Sequence, residues 1–336
     1  MLLVVGVLDD NLSNMNPIRI LAAASAMELA AATATLSALG LAGSGNGWLD
    51  VINSFAPVIL ATALVAAGLA FWTLDGATRL VTIGLAMIAV AYGLALTQPE
   101  FAGLLAPHAT GGPEYQVLSA NVWRDNPWPD RAVAEILKRD ADAVLLQESD
   151  GSIQGELARL KAQYPYASVC AGAGVQIFVK FPIVAHGCGM DPGSAPPIKL
   201  VWIQTLAPGG RRVTLASTHF SWPFPPGPQE LERANLAERL RQLPERELIL
   251  GGDFNTTPWS FAGRRMDKLL APLRRRTIAL FSWPARLDPL RQPWSAPVMP
   301  IDHIYTGADW GVVHIIQLRL PGSDHFATEA VLARSS

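Results

Sequence analysis

Two long stretches without any charged residue constrain the fold of this chain more than any other feature. The first lies between Asp50 and Asp75 and contains the run VILATALVAAGLAFWTL (58–74). The second follows Arg79 and contains LVTIGLAMIAVAYGLAL (80–96). A membrane-spanning helix needs about 20 mostly apolar residues, whereas a helix on a soluble core carries a polar stripe that both runs lack. We therefore expect membrane-spanning helices over residues 54–74 and 79–97.

An earlier stretch, residues 20–42, is also long enough to span a membrane, but it contains Glu28. A carboxylate near the middle of a bilayer costs about 3 kcal/mol, unless it faces the interior of a helix bundle in a protonated or hydrogen-bonded form. With that proviso we expect residues 1–97 to form an anchor of two or three helices. The first fourteen residues are too short to span and lack the basic start of a signal peptide, so Met15 is an alternative start to Met1.

The arginines of the N-terminal segment predict its orientation. Arg19 and the loop that contains Arg79 fall on the same side of a three-span anchor, and basic loops face the cytoplasm. The chain after Leu96 then emerges on the opposite side. We therefore expect a multi-pass protein of the cytoplasmic (inner) membrane, with a linker over residues 98–113 and a domain over residues 114–336 on the periplasmic or outer face.

The C-terminal domain carries a balanced charge and the chain's two cysteines. After residue 112 there are 24 of the 26 Lys and Arg, against 22 of the 28 Asp and Glu. This balance argues mildly against non-specific binding of long nucleic acids, which depends on phosphate contacts. Cys170 and Cys188 could form a disulfide in an outward-facing domain or remain two buried thiols, and the sequence leaves both readings open.

Polar residues of catalytic type stand at the ends of apolar strands throughout this domain. In ELILGGDFNTTPWS (247–260) we expect the two glycines to end a buried strand and to place an acid and an amide at the sheet edge. Each polar residue alone has an ordinary explanation as a turn or a solvated strand end. Together they indicate a common cleft, and they are Asn121, Glu148, His219, Asp253, Asn255, Asp302, Asp324 and His325.

The motifs that carry these residues resemble those of the endonuclease/exonuclease/phosphatase superfamily over about residues 115–332. They are SANV, LLQES, STHF, GGDFNTTP, PIDHI and GSDH, in this order. The stretches NTTPWS and FSWPA, with the apolar segment ahead of them, are most similar to a membrane-tethered bacterial branch. The resemblance implies a deoxyribonuclease-I-like α/β fold, a four-layer sandwich of two packed mixed β-sheets flanked by helices, here preceded by an α-helical membrane anchor.

The resemblance also implies a metal site that binds Mg²⁺ or Mn²⁺. Glu148 would be the principal ligand, Asp324 would lie in or beside the same site, and Asp253 would share it. Carboxylates suit these hard cations, and a cation offsets charge on the phosphoryl oxygens. Asp253 would also orient or deprotonate the attacking water.

The remaining roles follow from the same resemblance. Asn121 and Asn255 would hydrogen-bond water, phosphate or a metal ligand, and His219 would donate to a non-bridging oxygen or to the leaving group. Asp302 would pair with His325 and favour its charged form near the phosphate. His303, next to Asp302, should point away, because neighbouring strand residues alternate between faces.

The sequence thus predicts a membrane-anchored, divalent-metal-dependent phosphoester hydrolase of the phosphodiesterase or phosphatase type, which works by in-line attack of water on phosphorus. The alternative is a DNA or RNA nuclease of the same superfamily, and a non-catalytic scaffold is disfavoured because the full residue set is present. The expected partners are a lipid bilayer and a phosphoester that is small, lipid-linked or part of a nucleic acid. No protein partner is evident from the sequence.

Overall fold

The computed structural model describes residues 16–105, 111–189, 198–207, 210–287, 292–294 and 296–334. The choice between Met1 and Met15 as the start lies outside the described residues. The chain divides into two compact units, residues 1–99 and 100–336. Each unit is described by itself.

The N-terminal segment is helical. Its helices, numbered in chain order, are α1 (Pro17–Ala42), α2 (Gly47–Asn53), α3 (Ala56–Thr73) and α4 (Gly76–Ala102). Helices α1, α3 and α4 are long and apolar enough to cross a membrane. The short α2 was not expected. Residues 98–102, expected in the linker, belong to α4, which continues through Pro99. In this last turn the Glu100 carboxylate accepts hydrogen bonds from the Arg275 guanidinium and the Ala279 backbone N–H.

Small residues form the contact between α1 and α3. The buried stripe of α1 includes Ala23, Ala26 and Ala30, and that of α3 includes Ala66 and Ala70. Small residues at such spacing let two helices approach closely, a common arrangement in membranes. The sequence allowed Glu28 to face the interior of a bundle, but its side chain is exposed, and the buried stripe of α1 consists of small residues.

The second unit, as far as the structure describes it, contains two six-stranded sheets and a small hairpin. The strands of the first sheet are β1 (Glu114–Asn121), β2 (Ala143–Gln147), β3 (Tyr166–Cys170), β4 (Val175–Val179), β13 (Trp310–Arg319) and β14 (Phe326–Arg334). Those of the second are β5 (Ile183–Cys188), β6 (Leu200–Leu206), β7 (Arg212–His219), β8 (Leu248–Asp253), β9 (Arg274–Arg275) and β12 (Asp302–Thr306). The hairpin is formed by β10 (Arg286–Leu287) and β11 (Gln292–Pro293).

The two sheets have the same plan. Their orders are β13-β14-β1-β2-β4-β3 and β5-β6-β7-β8-β12-β9. Each contains one parallel pair near its centre, β1 with β2 and β7 with β8, and every other pair of neighbours is antiparallel. Both sheets are therefore mixed, as expected.

Helices cover the outer faces of the sheets and complete four layers. They are α5 (Pro129–Arg139), α6 (Leu157–Leu160), α7 (Pro226–Leu240) and α8 (Phe261–Leu269). One apolar cluster fills the space between the sheets and includes Val117, Leu145 and Ile249. A second packs α5 and α6 on the first sheet, and a third packs α7 and α8 on the second. The fold is the four-layer α/β sandwich that the resemblance implied.

Two local features differ from, or go beyond, the sequence expectations. Gly251 and Gly252 do not end their strand but lie inside β8, which continues to Asp253. Strand pairing overrides the local glycine signal here, because Gly251 and Gly252 pair with both β7 and β12.

Cys170 and Cys188 form a disulfide with a Cα–Cα distance of 5.5 Å. It joins the last residues of β3 and β5, which are edge strands of the two sheets.

Candidate active site

The parallel strand pairs bring four of the candidate residues to one edge of the sandwich. Asn121 is the last residue of β1, and Glu148 follows β2 directly. His219 and Asp253 end β7 and β8 and lie opposite each other in the register of that pair. Carboxyl ends of neighbouring parallel strands necessarily meet at the same sheet edge, so the polar side chains converge.

Antiparallel strands add the other residues at the same edge. Because β12 runs opposite to β8, its first residue, Asp302, pairs with the last residue of β8, Asp253. Because β14 runs opposite to β1, the residues that precede it, Asp324 and His325, come to the end of β1. The structure thus brings together all eight residues that the sequence singled out.

The carboxylate of Asp253 is the centre of this cluster. Its Oδ2 atom is 3.0 Å from Asn121 Nδ2, 3.7 Å from His219 Nε2 and 3.7 Å from His325 Nε2. Its Oδ1 accepts a 2.8 Å hydrogen bond from the backbone N–H of Asn255. Burial and the nearby Asp302 raise the pKa of Asp253 to about 7, against the opposing effect of His325 and the hydrogen bonds. The group can therefore take up and release a proton near neutral pH.

Asp302 and His325 form a buried pair. His325 Nδ1 lies 2.8 Å from Asp302 Oδ2, and His325 Nε2 faces Asp253 and Asp324. Burial alone would lower the pKa of His325, but the carboxylates of Asp302, Asp253 and Asp324 outweigh it and raise the pKa to about 10. The imidazole is therefore charged at neutral pH, with Nδ1–H donating to Asp302 and Nε2–H directed at the cluster.

His219 has the opposite character. Its Nε2 atom lies 3.7 Å from both Glu148 Oε1 and Asp253 Oδ2. Burial, together with the positive charges of Lys199 and His325, lowers the pKa of His219 to about 4, although Glu148 and Asp302 oppose this. His219 is thus a neutral imidazole with one N–H to donate, beside a charged one.

Glu148 is held in a fixed position as an ionised carboxylate. The residue has a left-handed backbone, φ 54°, directly after β2. Its Oε1 accepts from Asn121 Nδ2 at 3.0 Å, and its Oε2 accepts from the backbone N–H of Arg124 at 2.9 Å. Burial would raise the pKa of Glu148, but these hydrogen bonds and the two nearby histidines lower it. A negative charge is therefore stable at the mouth of the site.

The two amides hold the carboxylates in place. Asn121 donates both hydrogens of its side-chain amide, to Glu148 and to Asp253, and its oxygen accepts from the backbone N–H of Trp123. Asn255 has φ 47°, and its amide nitrogen lies 2.9 Å from the carbonyl oxygen of Phe220 and 3.4 Å from Asp253 Oδ2. With its donors engaged in this way, Asn121 positions the carboxylates and offers no free N–H to a phosphate. Contact of Asn255 with substrate stays a prediction.

The acidic residues provide oxygen ligands suited to a cation. Glu148, His219 and Asp253 have ligand atoms within 4.8 Å of one another, and so do Asp253, Asp302 and His325. Asp324 belongs to neither group, but its Oδ1 is buried and has no hydrogen-bond partner among the described residues. Burial raises the pKa of Asp324, and Glu148 adds to this. An acceptor-only oxygen left without a donor beside other carboxylates fits a hard divalent cation.

Several supporting residues were not found from the sequence. Ser323 Oγ donates to the carbonyl oxygen of Asn121 at 2.7 Å and accepts from the backbone N–H of His325 at 3.0 Å. Ser282 Oγ accepts from the backbone N–H of Asp302, and the backbone N–H of Ala285 donates to the Asp324 carbonyl oxygen. The motif GSDH contains Ser323, and FSWPA contains Ser282 and Ala285, so both stretches stood out in the sequence, but no role was assigned to these residues.

Two neighbouring residues lie outside the cluster. His303 points away, as strand alternation predicts, with Nδ1 3.0 Å from Thr277 Oγ1 and Nε2 3.2 Å from the carbonyl oxygen of Thr256. Burial lowers the pKa of His303 to about 3, so it is a neutral core residue. The Arg124 guanidinium pairs with Asp150, and only its backbone N–H contributes to the site.

Comparison with known proteins agrees with this arrangement. The profile of the Endonuclease/Exonuclease/phosphatase family matches residues 118–325, which include all the clustered side chains. No curated protein sequence matches the chain.

Solved structures share the fold at low sequence identity. The human Nocturnin catalytic domain with bound sulfate is 18% identical, with a TM-score of 0.51, over 70% of this chain and 99% of that one. A family protein from Bacteroides thetaiotaomicron is 18% identical, with a TM-score of 0.51, over 68% of this chain and 100% of that one. D. rerio TDP2, complexed with single strand DNA product, is 17% identical, with a TM-score of 0.52, over 65% of this chain and 98% of that one.

Proposed function

Because the chain belongs to the endonuclease/exonuclease/phosphatase family, whose members act on phosphoester bonds, we propose that it is a membrane-anchored, divalent-metal-dependent phosphoester hydrolase. One observation carries this proposal. A buried carboxyl group, Asp253, lies 3.7 Å from the nitrogens of both a neutral and a charged imidazole, His219 and His325. That combination supplies a proton acceptor and two donors at one point, as hydrolysis of a phosphoester requires.

A cation would be held by Glu148 and Asp324, with Mg²⁺ or Mn²⁺ matching their oxygen ligands, which leaves Asp253 to act on the attacking water. The ionised Glu148 supports this assignment, and so does Asp324 Oδ1, a buried oxygen that accepts no hydrogen bond from the described residues. When bound, the cation would offset the negative charge on the phosphoryl oxygens.

The protein groups have separate tasks in this proposal. Asp253, whose carboxylate is the shared neighbour of both histidines, orients the attacking water and takes its proton. The charged His325, held by Asp302, donates from Nε2 to a phosphoryl oxygen and offsets charge that develops in the transition state. His219 donates its single N–H to a second phosphoryl oxygen or to the leaving group. Asn121 and Asn255 hold Glu148 and Asp253 in the required orientation.

Membrane anchoring and an outward-facing domain are part of the proposal. Three helices are long and apolar enough to span, and Arg79 between the last two favours a cytoplasmic loop there. The Cys170–Cys188 disulfide supports an oxidising location for the catalytic domain, because disulfides rarely persist in the cytoplasm.

Nuclease activity is the second candidate. The D. rerio TDP2 structure, which shares the fold, contains a single strand DNA product, so this architecture can accommodate nucleic acid. The likeness concerns the fold alone. The near balance of 24 basic and 22 acidic residues after residue 112 favours a smaller or lipid-borne phosphoester.

The proposal is tested with the full chain in nanodiscs and a panel of substrates. Bis-p-nitrophenyl phosphate, p-nitrophenyl phosphate, plasmid DNA and RNA are incubated with Mg²⁺, Mn²⁺ or EDTA. We expect metal-dependent turnover that falls at least about 100-fold in His325→Ala, the usual effect of losing a general acid or base. His314→Ala, an exposed histidine on β13, is the matched control and should retain activity. Absence of turnover on every substrate, from a folded protein that binds metal, would contradict the proposal.

A further inference from the structure

The loop between β7 and α7 exposes two large aromatic side chains close to the site. Trp222 is 64% exposed and Phe224 is 59% exposed, and they follow His219 by three and five residues. Nearby aromatic residues such as Phe220, Phe254 and Trp259 are fully buried. Large aromatic side chains in water are costly, so two of them on one short loop indicate a surface that contacts something.

This loop is held in a fixed conformation. Both the backbone N–H and the hydroxyl of Ser221 donate to the Glu232 carboxylate, at 2.8 and 2.7 Å, and Gln229 Nε2 donates to the Ser221 carbonyl oxygen at 3.0 Å. Pro223 and Pro225 flank Phe224 and restrict the backbone further. Little conformational entropy would be lost when the loop meets a partner.

Trp222 is connected to the catalytic cluster through Trp283. The Trp222 ring packs edge-to-face on Trp283, with centroids 6.2 Å apart. Two residues after Trp283, the backbone N–H of Ala285 donates to the Asp324 carbonyl oxygen at 2.7 Å. We call Trp222, Phe224 and Trp283 the aromatic rim; Phe224 lies two residues after Trp222 on the same loop. A partner that contacts Trp222 is therefore separated from Asp324, a proposed cation ligand, only by Trp222 and the Trp283 segment.

The chemistry of the rim fits the surface of a lipid bilayer. Tryptophan and other amphipathic aromatics concentrate at the membrane–water interface, where the ring lies at the level of the headgroups. The chain itself contains three helices that are long and apolar enough to cross a membrane, so the proposed anchor puts a bilayer and the rim on one molecule. Docking of the rim is then effectively intramolecular.

We propose that the aromatic rim docks on the bilayer beside the active site and thereby selects phosphoesters carried by lipids. The inference rests on the proposed function, including its membrane anchor, and specifies the substrate class. Stacking of the rim on single-stranded nucleic acid is the alternative use of such a surface, and the same experiment distinguishes it.

Docking is measured by tryptophan fluorescence of the full chain in proteoliposomes of equimolar phosphatidylcholine and phosphatidylglycerol with brominated acyl chains. Bromine quenches only nearby indoles, so Trp222→Phe should remove a quenched component, and Phe224→Trp should add one. The matched control is Val184→Trp, 51% exposed on the edge strand β5, which should add an unquenched component. Equal quenching in wild type and Trp222→Phe, with an unquenched indole in Phe224→Trp, would overturn the proposal. So would quenching of Trp222 by an oligonucleotide in place of lipid.

Selection is measured with two substrates that share one leaving group. The soluble one is bis-p-nitrophenyl phosphate, and the lipid-borne one is the p-nitrophenyl phosphodiester of diacylglycerol in the same bilayer. We expect Trp222→Ser/Phe224→Ser to lower turnover of the lipid-borne diester roughly 100-fold more than turnover of the soluble one, because each of the two buried aromatics contributes a factor of about ten. An equal effect on both would refute selection. Failure of both substrates in the wild type would instead refute the proposed function, while the fluorescence still reports docking.

Discussion

The Asp253 carboxylate carries the first prediction at the scale of single residues. It contacts Asn121 and Asn255 and lies near His219 and His325, so a change in its charge or position affects each of these side chains. Asp253→Asn keeps the shape but removes the proton acceptor, and turnover of bis-p-nitrophenyl phosphate should fall about 100- to 10,000-fold. Asp309→Asn, an acid of the second unit that pairs with Arg246, is the control and should stay near wild type. Activity of Asp253→Asn within tenfold of wild type would exclude Asp253 as the base.

The Asp302–His325 pair predicts how stability and kcat/KM change at alkaline pH. The pKa of His325 is raised to about 10, above its unfolded value, so its stabilising contribution is complete below about pH 6.5 and is lost as the pH rises through about 10. Asp302→Asn removes the largest charge that raises this pKa, while burial, which lowers it, remains. The alkaline limit of kcat/KM should therefore move toward neutral pH by at least about one unit. The measurement is a pH–rate profile of both proteins, and coincident alkaline limits would show that another group titrates there.

Sequence reasoning identified the residues of the site and, through the family resemblance, the Asp302–His325 pair, but not the other contacts. Glu148, Asp253 and His325 stand out because catalytic residue types follow apolar strands, which is a local signal. That Asp253 Oδ2 is the shared neighbour of His219 and His325 depends on which strands pair, and no local pattern specifies this. The same holds for Asn121, whose amide hydrogens prove to bridge two carboxylates.

At the scale of elements, β8 depends on its glycines for packing. A Cβ atom on Gly252 would collide with the carbonyl oxygen of Thr218 on β7, which is backbone and cannot turn aside. Gly252→Ala should therefore lower the free energy of unfolding by roughly 1–3 kcal/mol, as overpacking does. It should also displace Asp253, the next residue in the chain. Gly155→Ala is the matched control, because a Cβ there has nothing within 4 Å. Thermal unfolding of both variants in the same detergent checks this, and equal midpoints would contradict it.

The elements also show what a sequence can and cannot specify. Residues 130–140 show helical periodicity, and the structure has α5 at Pro129–Arg139, because an apolar face and its helix are local properties. The glycines of β8 and Pro99 of α4 misled local reasoning, since both usually end regular structure. In β8 the neighbouring strands on both sides hold the backbone extended. In α4 the turn after Pro99 is held by hydrogen bonds from Arg275 and Ala279 to the Glu100 carboxylate.

At the scale of the whole molecule, the disulfide joins the two sheets of the sandwich. Cys170 and Cys188 end β3 and β5, and their sequence separation is 18. Closing a loop of this size reduces the entropy of the unfolded chain and should stabilise the native state by about 3 kcal/mol. Cys170→Ala/Cys188→Ala should therefore unfold at a lower urea concentration than the oxidised wild type. Reduced wild type is the control, and it should match the double variant if the bond, and not the side chains, provides the stability.

The same bond makes the proposed orientation of the domain testable. Outside the cytoplasm both cysteines would be oxidised, whereas a cytoplasmic domain would keep them as thiols that react with maleimide. We expect a maleimide–polyethylene glycol reagent, added to denatured but unreduced cell extracts, to leave the full chain unmodified, and to add two labels after reduction. In cells without a periplasmic disulfide oxidase the unreduced chain should become labelled, because oxidation there depends on that system. Two labels on the unreduced chain from normal cells would place the domain in the cytoplasm and reverse the orientation derived from Arg19 and Arg79.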